Sequence, residues 1–103
     1  LELLSPEVDE RSIDEAFGQG FTLAGALTVI LSAVVERSFR KYRERAYRFA
    51  LLEAGHIAQS LCLAAAASGI SAAPLGGFHD EQLAKAFFLR TSLEVPIYAL
   101  ALG

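Results

Sequence analysis

The sequence predicts an α+β fold, and three segments predict it. Residues 26–33 form an apolar block that includes the β-branched Val29 and Ile30; from about Tyr42 the residues Tyr47, Leu51, Ala54, Ile57, Ala58, Leu61 and Ala65 recur at helical spacing; and Val95–Leu102 closes the chain as a continuous apolar run. Strand and helix signals interleave without an internal repeat, a low-complexity tract or a linker, so the 103 residues are expected to form one domain. The expected order is helix, strand, long helix, short extended segment, helix, strand.

Each element has a local cause. Ser12 and Glu15 stand three apart behind Pro6 and an acidic stretch, a capping-box pattern in which each side chain can satisfy the other's free backbone amide, and a short helix is expected to run to about Phe17. Gly18-Gln19-Gly20 breaks it. Residues 26–33 then read as a strand buried on both faces. The long helix is expected from about Tyr42, stopped by Gly69, with Gly55, Ala58, Cys62, Ala65 and Ala66 three or four apart as a stripe where another backbone can approach. Residues 70–74 read as a short strand or extended segment, Gly76 and Gly77 as permissive backbone, and Asp80 as the cap of a helix reaching about Phe88. Val95–Leu102 reads as a strand despite Pro96, since proline is tolerated near a strand's beginning.

Composition bounds the function. The chain is 53% hydrophobic, with a mean hydropathy of +0.39, which is rich for a domain with so high a ratio of surface to volume, and the excess is expected to serve a partner. It holds no methionine and opens on Leu1-Glu2-Leu3-Leu4, so a trimmed or processed piece is expected. The acidic first fifteen residues do not resemble a signal peptide. The low-charge run over residues 18–35 is broken by Gln19, Thr22, Thr28 and Ser32 and lies at the short margin for a membrane span, so a strand is expected there and no membrane. The single cysteine, Cys62, sits among apolar residues as a small hydrophobe, and a reducing, cytoplasmic setting fits.

Several constellations reduce to ordinary structure. Gly18-Gln19-Gly20 lacks both the preceding strand and the third glycine of a dinucleotide fingerprint. Glu53 and His56 are one half of a carboxylate-bridged di-iron pattern with no second copy, so no metal is expected, and His56 reads as a hydrogen-bonded helix residue, either structural or lining a cleft. No nucleophile elbow and no Cys-His pairing stands out, which argues against hydrolase chemistry. Arg37, Lys41, Arg45 and Arg48 would form one stripe if helical, but the chain is net −3, and a solvated or ion-paired face is the preferred reading over nucleic-acid binding. Lys41-Tyr42 is by spacing alone part of a charged helix entry, although neighbouring lysine and tyrosine side chains can accept and donate a proton.

Four ordered blocks change the weight of these residues. Arg40-Lys41-Tyr42-Arg43-Glu44-Arg45-Ala46-Tyr47-Arg48, then Leu51-Leu52-Glu53-Ala54-Gly55-His56-Ile57-Ala58-Gln59, then Pro74-Leu75-Gly76-Gly77-Phe78, then Pro96-Ile97-Tyr98-Ala99-Leu100-Ala101-Leu102-Gly103 resemble the SagB-type dehydrogenases of the nitroreductase superfamily. These include the azoline oxidases of thiazole- and oxazole-containing peptide pathways. The resemblance implies a nitroreductase-like flavin fold with a long central helix packed on an antiparallel or mixed sheet, of which residues 1–103 would be the C-terminal half. It implies FMN as cofactor, bound where two subunits of a homodimer meet. It implies Lys41 and Tyr42 as the acid/base couple, and Pro74, Leu75, Gly76 and Gly77 as the loop whose backbone lies against the flavin ring.

The family's Arg-rich segment that holds the FMN phosphate has no counterpart here, and Ser60 stands where asparagine often follows the helix glutamine. The chain alone is therefore expected not to hold FMN; a missing N-terminal half or a second subunit would complete the site. The function expected is dehydrogenation of thiazoline or oxazoline rings in a ribosomally made peptide, with a cyclodehydratase as a possible partner. A noncatalytic dimerisation or docking module of the same fold, and a general nitroreductase or quinone reductase, are the alternatives.

Overall fold

The computed structural model describes residues 10–18, 26–87, 89 and 94–103. Its elements are α1 (Glu10–Phe17), β1 (Leu27–Ala33), α2 (Val35–Tyr42), α3 (Arg45–Ala67), β2 (Ala72–Leu75), α4 (Asp80–Ala86) and β3 (Val95–Leu102). The three strands form one sheet in the order β1-β3-β2, and both neighbours run antiparallel to β3. Of the two sheet types the family resemblance allows, the antiparallel one is present.

Period-two alternation along β3 explains the layering. Ala99 is fully buried and has Ile30 of β1 and Leu75 of β2 as its in-register neighbours. All three join a core with Ile13, Ala16 and Phe17 of α1 and Leu83 of α4, and the Phe17 ring meets Phe78 edge-on at 5.6 Å. Leu100, the next residue, is also fully buried, and α3 packs on β3 and β2. The central strand is thus covered on both faces, by α1 and α4 on one and by α3 on the other. Burying Leu83 and Leu100 contributes about 1.5–3 kcal/mol each.

The pairing also accommodates Pro96. Leu31 faces Tyr98, but the next residue, Ser32, faces Pro96, so Ile97 is an extra residue in a bulge. β2 reaches only as far as Ala99, which leaves Pro96 with no ladder partner on that side. The Ser32 hydroxyl donates to the Glu94 carboxylate beside the bulge.

Gly69 ends α3 as expected. It takes φ +71°, its amide donates to the Ala66 carbonyl at 3.1 Å, and the Ile70 amide donates to the Ala65 carbonyl at 2.8 Å, the paired bonds of a Schellman turn. Ser71 and Gly103 then exchange backbone bonds of 3.2 and 3.0 Å, which places the end of α3 beside the end of β3.

Several details differ from expectation. The long helix expected from about Tyr42 is α3, starting at Arg45; α2 before it was not expected, and Arg43 at φ +53° parts the two. β1 is a half-buried edge strand rather than one buried on both faces, with Leu27 56% exposed. Ser12 lies inside α1, which is already helical at Glu10, so it is not the cap. Asp80 is the first helical residue of α4, and His79 occupies the cap position, its amide donating to the Ala16 carbonyl at 2.7 Å. That helix ends at Ala86, and Phe88 lies outside the described residues. The short strand or extended segment expected over residues 70–74 is present as β2, Ala72–Leu75. Of the glycine break, Gln19 and Gly20 also lie outside the described residues.

Candidate functional site

Because β1 and β2 both oppose β3, they run parallel to each other, and their carboxyl ends open at the same end of the sheet. α2 follows β1 there and carries Lys41 and Tyr42 in its last turn; Gly76 and Gly77 follow β2 there. The first turns of α3 lie at this end too, since its last turn is tied through Ser71 to the far end of β3. Topology therefore gathers both predicted groups at one end of the sheet, on its two opposite edges. In-register pairing puts Ile30 and Leu75 two strand spacings apart, roughly 10 Å, with Ala99 between them.

A cleft of about 790 Å³ lies between the end of β1 and the first half of α3. Ile30, Leu31, Val34, Phe49, Ile57 and Ile97 supply much of its apolar wall, and Tyr42, Glu53 and Ser32 are its polar side chains. Such a wall with a few polar groups is the usual character of a small-molecule site. Tyr42 is the only one of the six predicted residues that lines it. Lys41 is exposed, with its Nζ 5.3 Å from the centroid of the Tyr42 ring, and the ammonium is drawn to the electron-rich face. Pro74, Gly76 and Gly77 are exposed and Leu75 is half-buried, across β3 from the cleft.

The backbone at Arg43 explains where Tyr42 points. In an unbroken helix Tyr42 and Phe49 would be separated by about 10.5 Å of rise, at 1.5 Å for each of seven residues. Their ring centroids are instead 4.9 Å apart, edge to face at 88°. The left-handed turn at Arg43 folds α2 back onto α3 and lays one ring on the other.

Gly76 and Gly77 answer whether a flat ring could rest on main chain here. Both are exposed, and a Cβ built on either meets nothing within 4 Å. Neither has a positive φ, so the loop does not need glycine for its path; what glycine leaves is uncovered peptide. The loop thus offers exposed main chain with open space beside it.

Other sequence features resolve as packing or solvated surface. Glu53 lines the cleft, whereas His56 is exposed and does not line it; its carbonyl accepts a 3.0 Å bond from the Ser60 hydroxyl. Among the described residues, no three of His, Cys, Asp or Glu converge as metal ligands would. Cys62 is a half-buried free thiol. The stripe of basic residues is divided by the break at Arg43: Arg40 pairs with Glu36 at 3.6 Å, while Lys41, Arg45 and Arg48 are exposed. The Arg37 side chain lies outside the described residues.

Sequence reasoning missed the cleft and two of its walls. Phe49 carried no signal, because its partnership with Tyr42 exists only once the helix is broken. Glu53 stands out in the sequence as half of a metal motif and within one motif block, not as a cleft residue.

The nitroreductase family profile matches residues 2–103, nearly the whole chain. The chain belongs to the nitroreductase family. A protein of Methanocaldococcus jannaschii described as a candidate nitroreductase is 28% identical over 101 residues, covering 98% of this chain and 50% of its own length. This nitroreductase-family chain thus spans half the length of that curated relative. A crystal structure of a candidate nitroreductase from Anabaena variabilis is 32% identical and superposes with TM-score 0.83 over 89% of this chain and 19% of that one. The Escherichia coli microcin synthetase McbBCD complex, solved with truncated pro-MccB17 bound, contains a chain that superposes with TM-score 0.83 over 100% of this chain and 40% of that one, at 23% identity. The last likeness is one of fold. Members of the family generally use a flavin.

α3 is also long and apolar enough to cross a membrane by length and composition, with a mean hydropathy of 1.4 in its most apolar stretch. Its place as a layer on the sheet accounts for one face of it. Its opposite face is exposed: Leu52 and Leu63, eleven residues apart and so nearly aligned on the helix, are 56% and 62% exposed, while Ala54, Ala58 and Ala65 are buried.

Proposed function

We propose that this chain is the C-terminal part of an FMN-dependent oxidoreductase that dehydrogenates thiazoline or oxazoline rings of a ribosomally made peptide to azoles. The observation that carries the proposal is that Tyr42, beside Lys41, lines an apolar cleft at the same end of the sheet where Gly76 and Gly77 expose bare main chain. Converting an azoline to an azole removes a proton and a hydride. A bound flavin supplies the two-electron acceptor. Lys41 and Tyr42 take and hold the proton that leaves the substrate ring, as positioned general acid/base groups do. Pro74, Leu75, Gly76 and Gly77 hold the cofactor ring, and an uncovered amide there can donate to a ring atom that gains negative charge. The apolar wall from Ile30 to Val34 excludes water from the face on which Tyr42 acts.

The motif resemblance supports the substrate class, and the fold likeness to a chain of the peptide-bound microcin synthetase agrees with it. That the matched relative is twice as long as this chain supports a phosphate anchor supplied by residues outside this chain. The exposed face of α3 fits a homodimer. The motif resemblance supports a cyclodehydratase as further partner and the cytoplasm as the location.

The test is turnover of an azoline peptide by the complete purified protein, with and without added FMN, compared with turnover of a nitroaromatic. Azole formation that needs FMN supports the proposal. Nitroaromatic reduction without azole formation would instead establish the second reading, a general nitroreductase, which the description of the Methanocaldococcus relative favours. A colourless protein unable to take up FMN would establish a noncatalytic pairing module.

A further inference from the structure

We propose that Phe49 is a positioning residue: its ring fixes the Tyr42 phenol at the mouth of the cleft. The inference rests on the proton-transfer role given to Tyr42 above and adds a residue to it. Both rings line the cleft, and they meet edge to face at 4.9 Å and 88°. Neither contact is a by-product of core packing, since Tyr42 is 43% and Phe49 39% exposed. Edge-to-face pairing is directional, because the positive rim of one ring meets the negative face of the other, and a side chain held that way loses rotamer freedom.

Three features converge on the pair. Tyr42 is the last residue of α2, where nothing later in that helix supports it. Arg43 holds a left-handed backbone that a non-glycine residue adopts only when its surroundings require it, and the Ala46 amide closes the turn on the Arg43 carbonyl at 3.0 Å. Phe49 stands one turn further along α3, the layer that packs on the sheet. Phe49 therefore references the phenol to the rigid part of the molecule. A proton acceptor or donor must sit within hydrogen-bond reach of the atom it serves, so a wandering phenol is a slow one.

The experiment uses the complete holoprotein with Phe49→Leu, Phe49→Tyr and Tyr42→Phe, ring-¹³C-labelled tyrosine and an azoline peptide. Phe49→Leu keeps apolar volume and removes the ring, so the fold is retained at this half-exposed position. It is expected to shift the Tyr42 resonance in the resting protein, assigned by its loss in Tyr42→Phe. It is also expected to lower kcat by about ten- to a hundredfold with KM changed by no more than about twofold. Phe49→Tyr, which keeps the ring, is expected to retain the Tyr42 resonance position and the rate. An unmoved Tyr42 resonance in Phe49→Leu, or an unchanged kcat while Tyr42→Phe is slow, overturns the positioning role and leaves the catalytic one standing. Full rate in Tyr42→Phe overturns both.

Discussion

Leu75, the last residue of β2, is paired in register with Ala99 of the central strand, and from that point the chain leaves the sheet as two exposed glycines. The pairing anchors the loop without constraining its path, for Gly76 and Gly77 take no positive φ and a side chain on either would meet nothing. Alanine there should stabilise the fold slightly, by about 0.4–1 kcal/mol, through a less flexible unfolded chain. In the complete protein, the same methyl group would stand between the peptide and a flavin ring. Gly76→Ala and Gly77→Ala are therefore expected to raise the urea midpoint while lowering flavin content after gel filtration. A variant that keeps its flavin in full would remove residues 74–77 from the cofactor site.

Proton transfer makes a separate demand. Lys41 and Tyr42 lie apart from the glycine loop, so replacing them should leave flavin content intact. Lys41→Ala with Tyr42→Phe is expected to slow azoline oxidation by about 10²- to 10⁴-fold, the usual contribution of positioned acid/base groups. Nitroaromatic reduction, which removes no ring proton, should change little. Azole formation at the parental rate by the double variant would end the proposed role.

Two left-handed residues should respond in opposite directions. Gly69 at φ +71° ends α3, and a Cβ there meets no atom, so the cost of Gly69→Ala is backbone strain alone, about 1–2 kcal/mol. Arg43 at φ +53° already bears such strain, and Arg43→Gly relieves it while adding freedom to the unfolded chain, for a net gain below about 1 kcal/mol. Equilibrium urea unfolding measures both. A stabilised Gly69→Ala would mean that the turn after Ala67 is not left-handed in solution.

Strands β1 and β3 and the stop at Gly69 were legible because each rests on local signals: β-branched or continuous apolar runs, and a residue tolerant of positive φ. The break at Arg43 was not. Nothing in Lys41-Tyr42-Arg43-Glu44 disfavours a helix, and the turn is imposed by packing of α2 on α3, a tertiary cause that no local window contains. β1 was misjudged for a related reason. A continuous apolar run predicts burial on both faces, but strand order sets burial, and β1 is an edge. Lys41, Tyr42 and the glycine pair were legible only as motif blocks; the cleft joining β1 to Phe49 and Glu53 required the fold.

The outward face of α3 supplies the last expectation. Leu52 and Leu63 align on the side away from buried Ala54, Ala58 and Ala65, so they contribute little to the packing of this domain. Leu83, wholly buried between α1 and the sheet, is the contrast: Leu83→Ala should cost about 2–5 kcal/mol, from lost burial and the cavity left behind. If the α3 face meets a second subunit, Leu52→Glu with Leu63→Glu places two charges in a dry contact and should separate the complete protein into monomers, read by light scattering after gel filtration. Charges on a solvated face would instead leave its mass unchanged. Unchanged mass would remove α3 from the dimer contact, and a monomer that keeps its parental flavin content would separate the cofactor site from the subunit interface.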